Sequence, residues 1–321
     1  MLRESYGPPD TLHLRDVAKP IPAEDEVLLR VRATSINKSD LFELSPSAPM
    51  RLLAGGVRKP KSGILLSDVS GRVEEKGKGV TKFHVGDEVF GSARWGLAEY
   101  ACAREVRLAR KPEKVSFEAA ASVPIAGTTA LQALRKGRVQ PGHRVAIDGA
   151  SGGVGSLAIQ IAKSFDVNVT AVCSPGKVDN ARSMGADRVI DYTKEDFTRL
   201  ADTYDLILGV NGGHSILSYR SVLSPKGSYV MVGGSKVLRQ IIQAVLFGPF
   251  VSRSGRKMGF MGIAKLNPDD LLTLGGLLDS GKLKPLIDVA YPLERAADAF
   301  TLFAEGHTHG KIVVTIEDSS S

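Results

Sequence analysis

After Arg144 the chain alternates short, continuous apolar runs with segments whose apolar positions recur every third or fourth residue. The runs at 145–148, 167–173, 188–191, 205–210, 228–232 and 257–261 read as strands. Between them, 154–165, 178–184, 196–201 and 214–223 carry helical spacing. Strands and helices in series predict an α/β fold with a doubly wound parallel sheet and right-handed crossovers. The first third has a different grammar. Residues 26–33, 69–75, 86–90 and 98–101 are short strand candidates at irregular spacing, broken by Gly and Pro, and they predict a β-rich, barrel-like domain. Ser116 caps a helix start over 116–121, and 128–135 has a helical pattern. Past Asn267 come a capped helix (268–280), the segment 285–291, a second helix (293–305) and a closing strand (311–316). That tail is too short to be a domain. A final strand returning to the first domain would make that domain discontinuous.

The 321 residues suffice for two domains, each with its own core. With only Cys102 and Cys173, far apart in sequence, a disulfide scaffold and a zinc ribbon or finger are excluded, and a cytoplasmic location is expected. The first nine residues lack the apolar core of a signal peptide. The most apolar stretch, 241–251, is interrupted by Gln243, Gly248 and Pro249 and falls short of the roughly 20 residues that span a bilayer. A net charge of +7 raises the question of anionic partners. Its lysines and arginines are dispersed, with the tightest groups at Arg58-Lys59-Lys61 and Arg253-Arg256-Lys257, and no nucleic-acid-binding motif accompanies them. Solubility accounts for this charge, and no specific nucleic-acid partner is expected.

One turn carries chemistry. In AIDGASGGVGSLAIQIAK, residues 146–163, a strand leads into Ala150-Ser151-Gly152-Gly153-Val154-Gly155 and a helix leads out. The spacing is A-x-G-x-x-G, the dinucleotide fingerprint with alanine in place of its first glycine. Gly152 lets the backbone approach a pyrophosphate, and Gly155 lets helix and strand pack closely. The helix N-terminus offers unpaired N–H groups to the anion. The choice of nucleotide is made at the end of the next strand, where an acid would grip the ribose of NAD. Residues 169–177 contain no acid. Ser174 and Lys177 offer a hydroxyl and a cation there, which suit the 2′-phosphate of NADPH; the alternative is a solvated lysine at a helix start.

Further motifs run through nearly the whole chain. They are Tyr6-Gly7-Pro8-Pro9, Ser35-Ile36-Asn37 with Asp40, Val85-Gly86-Asp87-Glu88-Val89 and Gly127-Thr128-Thr129-Ala130-Leu131, followed by the glycine turn, Gly185-Ala186-Asp187 and Gly310-Lys311-Ile312-Val313-Val314. Together they resemble a medium-chain dehydrogenase/reductase of the zinc-independent quinone oxidoreductase group. Val189-Ile190-Asp191-Tyr192 and Arg58-Lys59-Pro60-Lys61 are similar to its chloroplast-envelope branch and bacterial relatives.

The resemblance implies a GroES-like catalytic domain over 1–122 and 267–321, a Rossmann domain over 123–266, NADPH as cofactor and a homodimer. It places Asn37 and Thr129 near the nicotinamide and Ser174, Lys177 and Tyr192 near the adenosine 2′-phosphate. Asn211, Gly233, Gly234, Phe260 and Met261 fall at the C-terminal ends of later strands, where a doubly wound sheet presents ligands. Lys311 falls where the family often contacts the cofactor. Each has a plainer counterpart: Tyr192 as strand-end packing, Thr129 as helix interior, Lys311 as a surface lysine. Zinc-bearing members carry a cysteine near the position of Lys38 and Gly-His-Glu in the region of Leu66-Ser67-Asp68. This chain has neither, so no metal site is expected, and His307 and His309 read as a solvated loop.

Three departures stand out. The chain begins a few residues late against the family's first strand, Leu66 replaces a usual glycine, and 237–255 forms a lengthened apolar and basic insert. That insert suits a core or interface helix, the substrate mouth, or peripheral membrane contact. Without a Lewis acid, the expected acceptor is a polarised one, a quinone or an α,β-unsaturated carbonyl. The protein would position the partners and exclude water. Asn37 would hydrogen-bond a developing oxyanion, Asp40 would hold its loop, and solvent would supply the proton. Two alternatives stand beside this: a zinc-independent alcohol dehydrogenase, and a non-catalytic nucleotide- or RNA-binding member of the fold.

Overall fold

The structure, a computed structural model, describes residues 1–47, 51, 60, 63–233, 255–306 and 308–317. The chain opens with a short antiparallel pair, β1 (Leu2–Arg3) and β2 (Leu12–His13), followed by the long strand β3 (Glu26–Ser35) and helix α1 (Lys38–Leu44). Strands β4 (Asp68–Lys76), β5 (Glu88–Ser92), β6 (Tyr100–Arg104) and β7 (Leu108–Arg110) and helix α2 (Phe117–Ala121) complete this stretch. Ser116 caps α2 as expected, its hydroxyl accepting from the Ala119 N–H.

Helix α3 (Pro124–Lys136) leads to β8 (Arg144–Asp148), α4 (Gly153–Lys163), β9 (Asn168–Cys173), α5 (Val178–Ser183), β10 (Arg188–Asp191) and β11 (Tyr204–Gly209). Then come α6 (Ile216–Ser221), β12 (Leu223–Met231) and β13 (Lys257–Phe260). Among the described residues these six strands are all parallel, in the order β10-β9-β8-β11-β12-β13. That is the doubly wound order, with its switch point between β8 and β11. Continuous apolar runs such as Val145-Ala146-Ile147 are buried because helices cover both faces of a parallel sheet.

The tail contains α7 (Pro268–Asp279), β14 (Ile287–Pro292), α8 (Ala296–Glu305) and β15 (Lys311–Thr315). β15 lies antiparallel to β3, with Val313 opposite Ser35, and completes the sheet β14-β15-β3-β4-β5-β7, on which β6 also pairs β3. The final strand thus returns to the first β-rich region. Compactness divides the chain into one unit of Met1–Ile125, Leu266–Gly281 and Pro285–Ser321 and a second of Ala126–Lys265 and Lys282–Lys284. Val27, Leu29, Val31, Val69, Phe300, Ile312 and Val314 are among the core residues of the first unit.

Local differences from the expected pattern have local causes. The expected helix at 196–201 is a single 3-10 turn, Phe197–Arg199, because the Asp196 carboxylate takes the Thr198 N–H and hydroxyl and Leu200 is already extended. The helix expected at 214–223 spans only Ile216–Ser221, capped by Ser215. β12 starts five residues before Ser228, and its register against β11 shifts between Tyr204 and Leu206. Gly234, Arg58, Lys59, Lys61, His307 and, apart from Gly255, the insert at 237–255 lie outside the described residues.

Candidate functional site

In the second unit, β8 ends at Asp148 and the glycine turn begins. The Gly149 and Ala150 N–H groups both donate to the Val172 carbonyl, at 3.1 and 3.0 Å, which ties the turn to the end of β9. The left-handed conformation falls on Gly149, at φ +89°, one residue before the alanine that replaces the fingerprint's first glycine. Ala150 is buried and needs no positive φ, which explains why a side chain is tolerated there. At Gly155 a Cβ would overlap the Gly149 carbonyl oxygen and lie 2.7 Å from Ala150 backbone atoms, so helix and strand meet only because the side chain is missing. At Gly152 a Cβ would meet nothing within 4 Å. Gly152 is the N-cap of α4 in an ordinary extended conformation, without a side chain to cap the first turn. Open space in front of uncapped N–H groups fits a dinucleotide pyrophosphate.

The sheet brings Ser174, Lys177 and Tyr192 to one edge. Ser174 and Lys177 flank the turn after β9, and Asp191 at the end of β10 pairs in register with Cys173. The Tyr192 N–H donates to the Cys173 carbonyl, and the Tyr192 side chain is exposed. Sequence reading missed an acid at this edge: Asp191, one strand further out. Its carboxylate accepts from the Thr193 N–H (3.0 Å) and hydroxyl (2.7 Å), and these bonds hold it below the usual carboxylate range. The acid is therefore turned into its own loop.

Other expected residues fall at the C-terminal ends of the strands. The Asn211 N–H donates to the Asp148 carbonyl, and Asn211 sits so close to Gly149 that a Cβ there would lie 2.6 Å from it. The Gly233 N–H bonds the Gly209 carbonyl at the end of β11, and the Met261 N–H bonds the Met231 carbonyl at the end of β12. Phe260 is partly exposed, and Thr129 is half-buried on α3.

Asp148, not singled out by the sequence, anchors this end of the sheet. Its buried carboxylate accepts from the Tyr219 hydroxyl at 2.6 Å, and Tyr219 stacks on Tyr229 with centroids 4.4 Å apart. Burial pushes the Asp148 carboxyl up, and burial beside Asp148 keeps the Tyr219 hydroxyl protonated.

The first unit holds a buried polar cluster at the junction of β3, α1, β4 and β15. Asn37 is the N-cap of α1, and its N–H donates to Asp40 Oδ2 at 2.7 Å. Asn37 Nδ2 donates to Asp68 Oδ2 at 2.9 Å, and Asp68 Oδ1 accepts from the Ile125 N–H at 3.0 Å. Lys311 is not a surface lysine. At 2% exposure, its Nζ donates to Asn37 Oδ1 at 2.6 Å and to the Ile36 carbonyl at 3.0 Å, and lies 4.0 Å from Asp68. Asp68 and, at longer range, Asp40 face this one ammonium. Burial pushes Asp40 up to about 7 and Asp68 up to about 6, and lowers Lys311. Asp68, the last residue of the Leu66-Ser67-Asp68 stretch, is the member the sequence did not nominate. The signal was faint: one acid at the start of a strand that carries further charges at Arg72, Glu74, Glu75 and Lys76. Leu66 itself is buried at φ +66°, the left-handed conformation that a glycine would adopt without cost.

Comparison with known proteins is consistent with both halves. Residues 23–131 match the alcohol dehydrogenase GroES-like domain, and 184–314 match a family described as zinc-binding dehydrogenase. Among the described residues, however, no group of three or more His, Cys, Asp or Glu side chains is placed to hold a metal ion. The chain is 32% identical to the chloroplastic NADPH-dependent alkenal/one oxidoreductase of Arabidopsis thaliana, covering 96% of this chain and 77% of that protein. It is 31% identical to a chloroplast envelope quinone oxidoreductase homolog of the same plant, covering 93% and 92%. The solved quinone oxidoreductase from Coxiella burnetii superposes with a TM-score of 0.85 at 32% identity, covering 98% of each chain. No helix among the described residues is long and apolar enough to cross a membrane. Glycine cradle, doubly wound sheet, GroES-like unit and these relatives agree: the chain belongs to the medium-chain dehydrogenase/reductase family, in its quinone oxidoreductase group.

Proposed function

We propose that this chain is an NADPH-dependent oxidoreductase that transfers hydride to a quinone or an α,β-unsaturated carbonyl without using zinc. The carrying observation is the cradle at 149–155, with open space at Gly152 before the uncapped start of α4. Ser151, Gly152, Gly153 and Val154 would hold the pyrophosphate. Ser174, Lys177 and Tyr192 would hold the 2′-phosphate, a reading supported by the turned-away Asp191. Asn211, Gly233, Gly234, Phe260 and Met261 line strand ends where the rest of the nucleotide would lie. When bound, NADPH supplies a hydride.

The chain's own residues orient the acceptor. Asn37 Oδ1 is committed to Lys311, so the amide meets a substrate oxygen only through Nδ2, as a donor. That polarity suits an oxygen gaining negative charge. Thr129 is the second residue proposed beside the reacting ring. Asp40 holds the Asn37 backbone, and the buried Lys311 ammonium, bonded to Asn37 Oδ1 and the Ile36 carbonyl, supports Asn37 rather than the nucleotide. A homodimer working in the cytoplasm completes the proposal; sedimentation equilibrium returning a monomer mass removes the dimer.

The test is NADPH oxidation followed at 340 nm against a panel of quinones and enones. Turnover with an enone or quinone is expected; no turnover with any of them refutes the proposal. Nucleotide choice is tested separately: Lys177→Ala should weaken NADPH binding by about tenfold and leave NADH unchanged, the loss of one partly exposed charge-assisted contact. Equal effects on both nucleotides remove the 2′-phosphate role.

A further inference from the structure

The amide of Asn37 has two chemically different edges. Turned one way it offers an acceptor oxygen, and turned by 180° it offers N–H donors. An isolated asparagine has no strong preference between the two. Here the choice is forced from both sides. The Lys311 ammonium carries only donors and lies 2.6 Å from one edge, so that edge must be oxygen. The Asp68 carboxylate offers acceptor oxygens and lies 2.9 Å from the other, so that edge must be nitrogen. Reversing the amide would set Nδ2 against the ammonium and oxygen against the carboxylate, losing both charge-assisted bonds and adding two repulsions.

Neither anchor can drift. Asp68 has no exposed surface and is fixed through its other oxygen to the Ile125 N–H, while Lys311 is fixed to the Ile36 carbonyl. Of the two Nδ2 hydrogens, one is spent on Asp68. Among the described residues the other has only the Ser35 carbonyl, at 3.5 Å, near the limit of a hydrogen bond.

We infer that Lys311 and Asp68 are positioning residues that lock the orientation of the Asn37 amide, so that one N–H is held ready for the acceptor oxygen. The inference rests on the proposed role of Asn37 and assigns its cause to β4 and β15. The ionic anchors sit in a cluster also faced by Asp40 and, further out, Glu43. Keeping an ammonium buried beside two carboxylates costs stability that apolar residues would not. A fixed donor at the reacting centre is the return on that cost.

The test is a double-mutant cycle on kcat/KM with an enone that the wild-type enzyme reduces. Asn37→Ala should lower kcat/KM about a hundredfold, the scale for one donor to a developing oxyanion. Asp68→Asn and Lys311→Met should each lower it about tenfold, chiefly in kcat. In the Asn37→Ala background the same two substitutions should change it by no more than about twofold, because their effect passes through Asn37. Losses that multiply in that background overturn the inference and leave the anchors a purely structural role.

The exchange Asn37→Asp with Asp68→Asn separates structure from positioning further. It restores an amide–carboxylate pair but leaves no donor at position 37. Melting temperature should recover relative to Asn37→Ala while kcat/KM does not; recovery of both is contrary. If the anchor variants fail to fold, the wild-type protein still answers. Its Asn37 side-chain amide signals should show one slowly exchanging and one rapidly exchanging hydrogen, and equal rates refute the lock. A wild-type protein that reduces no quinone or enone refutes the proposed function instead, which the amide-exchange measurement does not depend on.

Discussion

Asp40 is a buried acid whose charge the fold disfavours, and replacing it isosterically should reveal that cost. Its carboxyl is 2% exposed and receives the Asn37 N–H, a bond that the side-chain oxygen of an asparagine also accepts. Burial and the neighbouring Asp68 push it up from 3.8 to about 7, against the pull of Asn37 and Lys311. A carboxyl raised on folding contributes its full stability below the unfolded value. That contribution is lost as pH rises through the folded value, because only the unfolded chain ionises freely in between. Between pH 5 and 8 the difference amounts to roughly 2–3 kcal/mol of lost stability.

Asp40→Asn removes this titration and leaves Asp68 and Lys311 as a neutral pair. The wild type should therefore lose about 2–3 kcal/mol more than the variant between pH 5 and 8, with most of the loss complete by pH 7. Urea unfolding followed by the single tryptophan, Trp95, reads this directly, since Trp95 lies in the same unit as Asp40. Parallel stability curves for the two proteins across that range would refute the reasoning. So would a wild type that gains stability with pH relative to the variant.

Gly152→Ala and Gly155→Ala should part company. The first adds a methyl into open space and should leave the melting temperature within a degree or two while weakening nucleotide binding measured by fluorescence titration. The second drives a Cβ into the Gly149 carbonyl and should cost roughly 1–3 kcal/mol of stability in thermal unfolding. Leu66→Gly relieves a left-handed leucine, worth roughly 1–2 kcal/mol, but empties a buried site worth roughly 2–5 kcal/mol, so net destabilisation in urea is expected. Tyr219→Phe keeps the stack on Tyr229 and strips the Asp148 carboxyl of its donor. A loss of roughly 1–3 kcal/mol should appear in denaturant unfolding; an unchanged midpoint would mean that Asp148 is otherwise solvated.

Much of this was legible along the chain because it is local. Six apolar runs became six parallel strands, and the inner ones are apolar at 145–147 and 206–208 because they are buried on both faces. The glycine turn declared itself through spacing, and Ser116 and Asn267 capped the helices where expected, because a cap depends on residues only three apart. Where a nearby side chain competed for the backbone, as Asp196 did, the apolar period misled.

Tertiary structure decided the rest by joining residues that no spacing relates. Sequence named Asn37, Asp40 and Lys311, yet Lys311 read as a surface or cofactor lysine until β15 paired antiparallel with β3 and buried it against Asn37. Asp68 and Asp148 went unnoticed because an acid at a strand end is ordinary until a partner distant in sequence bonds it. The turn showed the same division on a smaller scale. Its glycines were visible in the sequence, but only the folded backbone shows that Gly149 carries the positive φ, Gly155 the close approach and Gly152 the open space. Local propensity and periodicity are written in neighbouring residues, whereas burial and charge pairing are properties of the assembled chain. The sequence by itself therefore determined the elements and the nucleotide turn, and the tertiary structure decided which polar groups face one another.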